Sequence, residues 1–261
     1  MNLPLGMPLA KEDPLHHVVD HHFGWGWLQT IGFTQHVFFL LIVGALCILV
    51  FPLITRRIKA DGTGGRLATF FEVLLLYIRD EVSRPFLGKE GDRFLPIIWT
   101  FFFFILFCNL VGLIPGSRTA TSNISVTAAL ALVSFVFYTG IGIQRHGFFR
   151  YLKASILVGP PSLWIVMAPV EILGQMMRPF ALAVRLFANM VAGHTMLAVF
   201  FMFCIMAVKS GSILMGGTIA VLSVFAAVCV SFLEILVAFL QAFIFTFLTT
   251  VFLSMAIHPE H

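Results

Sequence analysis

Two uninterrupted apolar stretches, Ser162 to Val208 and Ile213 to Ile257, constrain this chain more than any other feature. Only the turn Lys209-Ser210-Gly211-Ser212 separates them. As helices rising ~1.5 Å per residue, each is roughly 70 Å long. The hydrocarbon core of a bilayer is only about 30 Å thick. Either each stretch folds into two spans, or each is one helix tilted far from the membrane normal. Neither contains a polar loop long enough to re-cross, so two long, steeply tilted helices forming a hairpin over 162–257 are expected. Tilt well beyond the usual ~20° needs a packing reason. The hairpin is therefore expected to lie against a large partner surface.

Composition removes the soluble alternative. Apolar residues make up 59% of the 261 positions and charged residues 11%. A soluble domain carries about 25% charged residues, so most of this surface must face lipid or partners. Eight of the 16 Lys and Arg residues fall between Arg56 and Arg93, a juxtamembrane cluster rather than a nucleic-acid-binding stripe. Cys47, Cys108, Cys204 and Cys229 are scattered singly through apolar runs, with no metal or disulfide spacing, and read as small buried hydrophobes. The first 30 residues, with acids, prolines and histidines, read as an extramembrane segment without a secretory signal. His16, His17, His21 and His22 cluster there without a second ligand group, so no metal is expected.

Residues 31–261 read as one membrane-embedded domain. Ile31–Ile54 is long enough to span, and a basic linker, Arg56–Gly65, follows. In Arg66–Leu87, Leu67, Phe70, Phe71, Leu74, Leu75, Ile78 and Val82 recur at helical spacing, with Glu72, Arg79, Asp80 and Ser83 elsewhere. That pattern suits an amphipathic helix on the membrane surface or against a partner. Further spans are expected over Phe94–Ile114 and Ile124–Ile143, joined by the loop Gly116–Asn123. His146–Lys153 reads as interfacial, and Pro160-Pro161 breaks the chain. Lys and Arg in the short loops place the Arg56–Arg93 and Arg145–Lys153 regions and the C-terminus in the cytoplasm, with the N-terminus, Arg118 and Lys209 outside. The expected fold is thus an all-α polytopic membrane protein with about five crossings.

Charged groups at membrane depth are rare and usually functional. In the hairpin they are Glu171, Arg178, Arg185 and Glu234, with His194 also titratable. Arg185 cannot lose its proton, and a central arginine costs about 2.5–3.5 kcal/mol on insertion scales. Its helical neighbours Ala181, Ala188 and Ala192 would let another helix approach closely. A cation on a small-residue stripe suggests an anion arriving from a neighbouring helix; a fixed ion pair with Glu171 or Glu234 is the alternative. Glu171, Arg178 and Arg185 are spaced by seven residues and share a face. Arg178 either snorkels to cytoplasmic headgroups or acts directly. Glu171 either shuttles protons or pairs with Arg178. Glu234, Ala238 and Gln241 share a face of the second helix, and Gln241 could hydrogen-bond towards Arg185. His194 and Glu234 fall at comparable depth in a hairpin, as a proton relay or as structural groups. Asn109, Asn123, Ser125 and Thr127 either line water access or bond between helices. No Walker-type loop, nucleophile elbow or zinc motif is present, so no cofactor is expected and the chain is no enzyme on its own.

The segment Val184-Arg185-Leu186-Phe187-Ala188-Asn189-Met190-Val191-Ala192-Gly193-His194 resembles the signature of subunit a of F-type ATP synthases. Leu240-Gln241-Ala242-Phe243-Ile244-Phe245-Thr246, Asn109-Leu110-Val111-Gly112-Leu113-Ile114-Pro115 and Leu253-Ser254-Met255-Ala256 are also similar to that family. The resemblance implies that Arg185 is the stator arginine facing a ring of c subunits, with Asn189 and Gln241 as its polar neighbours. It implies an outer proton half-channel at His194 and Glu234, extended by Asn109 and Asn123, and an inner one at Glu171 and Arg178. Asn123 stands where many relatives carry an acid. The implied partners are the c-ring, the peripheral stalk b subunits, the rest of the complex and lipid, in a bacterial inner membrane. Sodium as the coupling ion, a self-contained transporter and a structural anchor are the competing readings; no internal repeat supports the transporter.

Overall fold

The computed structural model describes residues 35–57, 65–114, 121, 123–156, 164–209 and 213–258. The histidine-bearing segment 1–30, most of the basic linker, most of the loop at 116–122, Pro160-Pro161 and the tip of the 209–212 turn lie outside the described residues. Among the described residues, eight α-helices carry the fold: α1 (Gln35–Arg57), α2 (Gly65–Tyr77), α3 (Arg84–Leu87), α4 (Gly91–Gly112), α5 (Ile124–His146), α6 (Phe148–Ile156), α7 (Trp164–Lys209) and α8 (Ile213–Ile257). Helices α4, α5, α7 and α8 belong to stretches long and apolar enough to cross a membrane, and α1 contributes a shorter apolar segment, Val37–Pro52. Four of the five expected crossings are thus long enough to span, the first falls short of that length in its described apolar part, and all five are helical; α7 and α8 pack on each other more extensively than any other pair.

The amphipathic segment folds back on the span that follows it. A π-helical turn, Ile78–Ser83, links α2 to α3, and Gly88, at φ 57°, reverses the chain before α4. The Trp99 indole Nε1 on α4 then donates to the carbonyl of Leu75 on α2 at 3.1 Å. A continuous straight helix would hold those residues roughly 36 Å apart. Leu74, Ile78 and Val82 are buried and Phe71 and Leu75 half-buried, as the apolar spacing predicts. Two positions differ. Phe70, expected on the packed face, is 58% exposed, and Ser83, expected on the polar face, is fully buried. The π turn accommodates an extra residue per turn, which rotates Ser83 inward relative to a regular helix.

Helix ends meet in a consistent way. Arg145 at the end of α5 forms a salt bridge to Glu90 just before α4. His146 Nε2 meets the carbonyl of Ile257, at the end of α8, at 3.0 Å. The start of α4 and the ends of α5 and α8 therefore lie at one end of the bundle. Gln175 Nε2 on α7 donates to the carbonyl of Ser155 on α6 at 3.0 Å.

The packed centre is formed by α4 with α5, α7 and α8. Ile98, Phe102, Phe103 and Ile105 of α4, Leu186 of α7, and Phe245 and Leu253 of α8 are almost fully buried. Aromatic pairs join the helices: Phe51 with Phe103 at 5.2 Å, and Phe102 with Phe239 at 5.6 Å, both edge-to-face. In lipid such packing holds helices through dispersion rather than through burial from water. The hairpin is different. Only 11% of the most apolar window of either α7 or α8 is buried within the chain, against 56% for the stretch containing α4. Most of the hairpin surface is left for lipid or for other proteins.

Candidate functional site

Helix α7 has two unlike faces at its middle. Leu182, Ala183, Leu186 and Met190 are buried towards the bundle. Ala181, Arg185, Ala188 and Ala192 are exposed on the other side. The i, i+3, i+4, i+7 spacing produces this division directly. Arg185 is therefore presented outward from a flat, small-residue surface. Among the described residues it makes no hydrogen bond or salt bridge. The alternative of a fixed internal pair is not formed: Glu171 instead faces Arg178, Oε1 to Nη2 at 3.7 Å. Arg178 also stacks over the Phe252 ring of α8, 5.1 Å from its centroid. Its charge is thus held against the bundle, ahead of Pro179 inside a helix that continues through it.

Glu234 lies on the opposite side of the hairpin seam. It is buried, and among the described residues neither carboxylate oxygen has a hydrogen-bond partner. Its carboxylate presses against Gly193 of α7, where an added Cβ would overlap Oε1. His194 follows Gly193 directly, so the two titratable groups belong to neighbouring positions along the seam. Asn189, one turn from Arg185 towards Gly193, is half-buried, and Gln241 is buried on α8. Gln241 makes no hydrogen bond among the described residues.

The two asparagines are engaged structurally. Asn109 is buried; its Nδ2 donates to the carbonyl of Ala238 at 3.3 Å, and its Oδ1 accepts from Thr121 Oγ1 at 3.3 Å. It thereby joins α4 to α8 between Glu234 and Gln241. Asn123 caps α5, its Oδ1 accepting from the backbone N–H of Ser125 at 2.8 Å. Thr127 Oγ1 donates to the carbonyl of Ile124 at 3.0 Å.

A hydroxyl-bearing seam, outside the residues expected to matter, joins α5 to α8. Ser134 Oγ and Thr249 Oγ1 hydrogen-bond at 2.9 Å, and both residues are buried. One turn on, Tyr138 is buried with its ring 5.6 Å from Phe252. The signal is present as hydroxyl residues at helical spacing: Ser134 and Tyr138 at i, i+4, and Thr246, Thr249 and Thr250 at i, i+3, i+4.

Together these features define a polytopic α-helical membrane protein whose long C-terminal hairpin presents a permanent cation outward and buries a carboxylate in its own seam. The family can now be stated: the chain belongs to the ATP synthase A chain family, whose model matches residues 37–254. It is 40% identical to ATP synthase subunit a of Chloroherpeton thalassium, over 96% of this chain and 78% of that one. It is 37% identical to ATP synthase subunit a of Hyphomonas neptunium, over 97% of this chain and 99% of that one. ATP synthase subunit a 2 of Chlorobaculum tepidum is 36% identical over 95% of this chain and 74% of that one. The protein is accordingly a multi-pass membrane subunit of an ATP synthase complex.

Proposed function

We propose that this chain is the stator against which a ring of c subunits turns, and that it carries protons through two offset half-channels of a bacterial inner membrane. The observation that carries the reading is the outward-facing Arg185, without an ion pair among the described residues, on a surface of small side chains. A permanent cation there attracts a carboxylate on a passing helix, and Ala181, Ala188 and Ala192 allow that helix close. Once protonated from the outer half-channel, the rotor carboxylate is neutral and can turn into lipid. After nearly a full turn it reaches the inner half-channel and deprotonates, and Arg185 attracts it again while blocking a direct proton leak. The membrane potential contributes about 2.3 kcal/mol per charge per 100 mV.

The outer route runs past Glu234 and His194, with Asn189 and Gln241 beside them; Asn109 sets the position of α8, and Asn123 the start of α5. The inner route runs past Glu171 and Arg178. A histidine beside a carboxylate suits protons, because imidazole titrates near neutral pH. The exposed apolar surface of α7 and α8 supports a large partner, which the c-ring and the peripheral stalk b subunits would cover. The test is Arg185→Ala in the assembled complex, with ATP synthesis driven by an imposed proton gradient. Synthesis should fall to background while assembly persists. Synthesis at the parent rate would defeat the reading and leave a structural anchor.

A further inference from the structure

Hydroxyl groups are rarely buried without a partner, and in lipid the penalty is greater. The Tyr138 side chain is 4% exposed, and its Oη has no hydrogen-bond partner among the described residues. Thr139 Oγ1, on the next residue, is likewise buried and unpartnered. A helical threonine can bond the carbonyl one turn back, as Thr246, Thr249 and Thr250 do at 2.9 Å. Thr139 forgoes that bond.

The surroundings of Tyr138 are specific. Its ring lies 5.6 Å from Phe252 and 5.4 Å from Phe135. Phe252 in turn carries the Arg178 guanidinium, 5.1 Å from the ring centroid, and Arg178 faces Glu171 at 3.7 Å. Three helices thus contribute one contiguous group: Glu171 and Arg178 from α7, Phe252 from α8, and Tyr138 from α5. A tyrosine packed only as an aromatic would serve as well as phenylalanine. Its oxygen, unbonded among the described residues and separated from the ion pair by the one ring of Phe252, is explained by water shared with that pair. Buried water typically makes about three hydrogen bonds to such groups.

We propose that Tyr138, with Thr139, is a positioning residue of the inward proton path, holding water beside the Glu171–Arg178 pair on the α5 side of the hairpin. This rests on the stator reading, in which Glu171 lies on that path. Tyr138 does not change protonation. Its O–H orders the water that accepts and passes on a proton, so no group is consumed and charge balances at each transfer.

The experiment uses the assembled complex in inverted membrane vesicles. Tyr138→Phe and Thr139→Val each remove a hydroxyl with little change of shape. Each should slow ATP-driven proton pumping about five-fold, the scale of one lost hydrogen bond, with complex abundance unchanged. Tyr138→Cys and Thr139→Cys should be inhibited by silver ion supplied at the inner face, and not at the outer face. Inhibition is read against the parent chain with its own four cysteines. Pumping at the parent rate in both hydroxyl-deleted variants, or cysteines unreactive from the inner face, would overturn the proposal. Loss of the stator reading would register separately, as ATP synthesis surviving Arg185→Ala, whereas inner-face reactivity at 138 and 139 would still report water there.

Discussion

The carboxylate of Glu234 and the backbone of Gly193 occupy one point of contact between α8 and α7, with no room for a methyl group between them. This contact sets the depth of Glu234 relative to His194. Gly193→Ala should push the carboxylate aside and reduce proton pumping several-fold. Shortening the acid by one methylene relieves the overlap. The double variant Gly193→Ala/Glu234→Asp should therefore be less impaired than the two single losses combined, a positive coupling of about 0.5–3 kcal/mol for residues in contact. Strict additivity in a pumping assay would count against the contact.

His194 and Glu234 should be exchangeable as a pair. The swap His194→Glu/Glu234→His keeps one imidazole and one carboxylate in the same seam, and should retain much of the proton flux. Neutralising both, as His194→Gln/Glu234→Gln, should abolish it. Equal loss in the swapped and neutralised chains would show that position, rather than the pair, matters.

Asn123 caps α5 through its Oδ1. Asn123→Asp keeps an acceptor in that place and should preserve both stability and flux. Asn123→Ala removes it and should destabilise the helix by about 0.5–2 kcal/mol. Thermal denaturation of the detergent-solubilised complex separates the two. A loss of flux in Asn123→Ala without loss of stability would instead point to a direct role in the outer route.

The Glu171–Arg178 pair is half-buried, at 3.7 Å. Glu171→Gln should leave complex abundance unchanged while slowing pumping. Arg178→Leu should cost more, because the guanidinium also covers Phe252. If Glu171→Gln pumped normally, the acid would be a surface partner of Arg178 and nothing else.

Much of this arrangement is legible in the order of the amino acids. The two long stretches after Ser162 specify the hairpin because lipid tolerates no unsatisfied backbone, and nothing in them could re-cross. Arg185 stands out because three alanines, Ala181, Ala188 and Ala192, share its face of the helix. Contacts that depend on how helices meet are not legible. Gly193 reads as one small residue among several until Glu234 is found against it. Asn109 is a polar residue at a span end until Ala238 proves to be its acceptor, 129 positions away. The π turn at Ile78–Ser83 is invisible to a 3.6-residue period, which is why Ser83 falls on the polar side of the pattern and yet is buried. Tyr138 is hidden by its aromatic company.

The outward-facing Arg185 also bears on the subunit before it is assembled. A newly inserted chain with no rotor beside it holds this cation towards lipid, at a cost of about 2.5–3.5 kcal/mol on insertion scales. Water drawn to the guanidinium would thin the bilayer locally. In the proposed complex, a rotor carboxylate would remove that defect by supplying a counter-charge. On the stator reading, that cost falls on the unassembled chain and not on the finished complex.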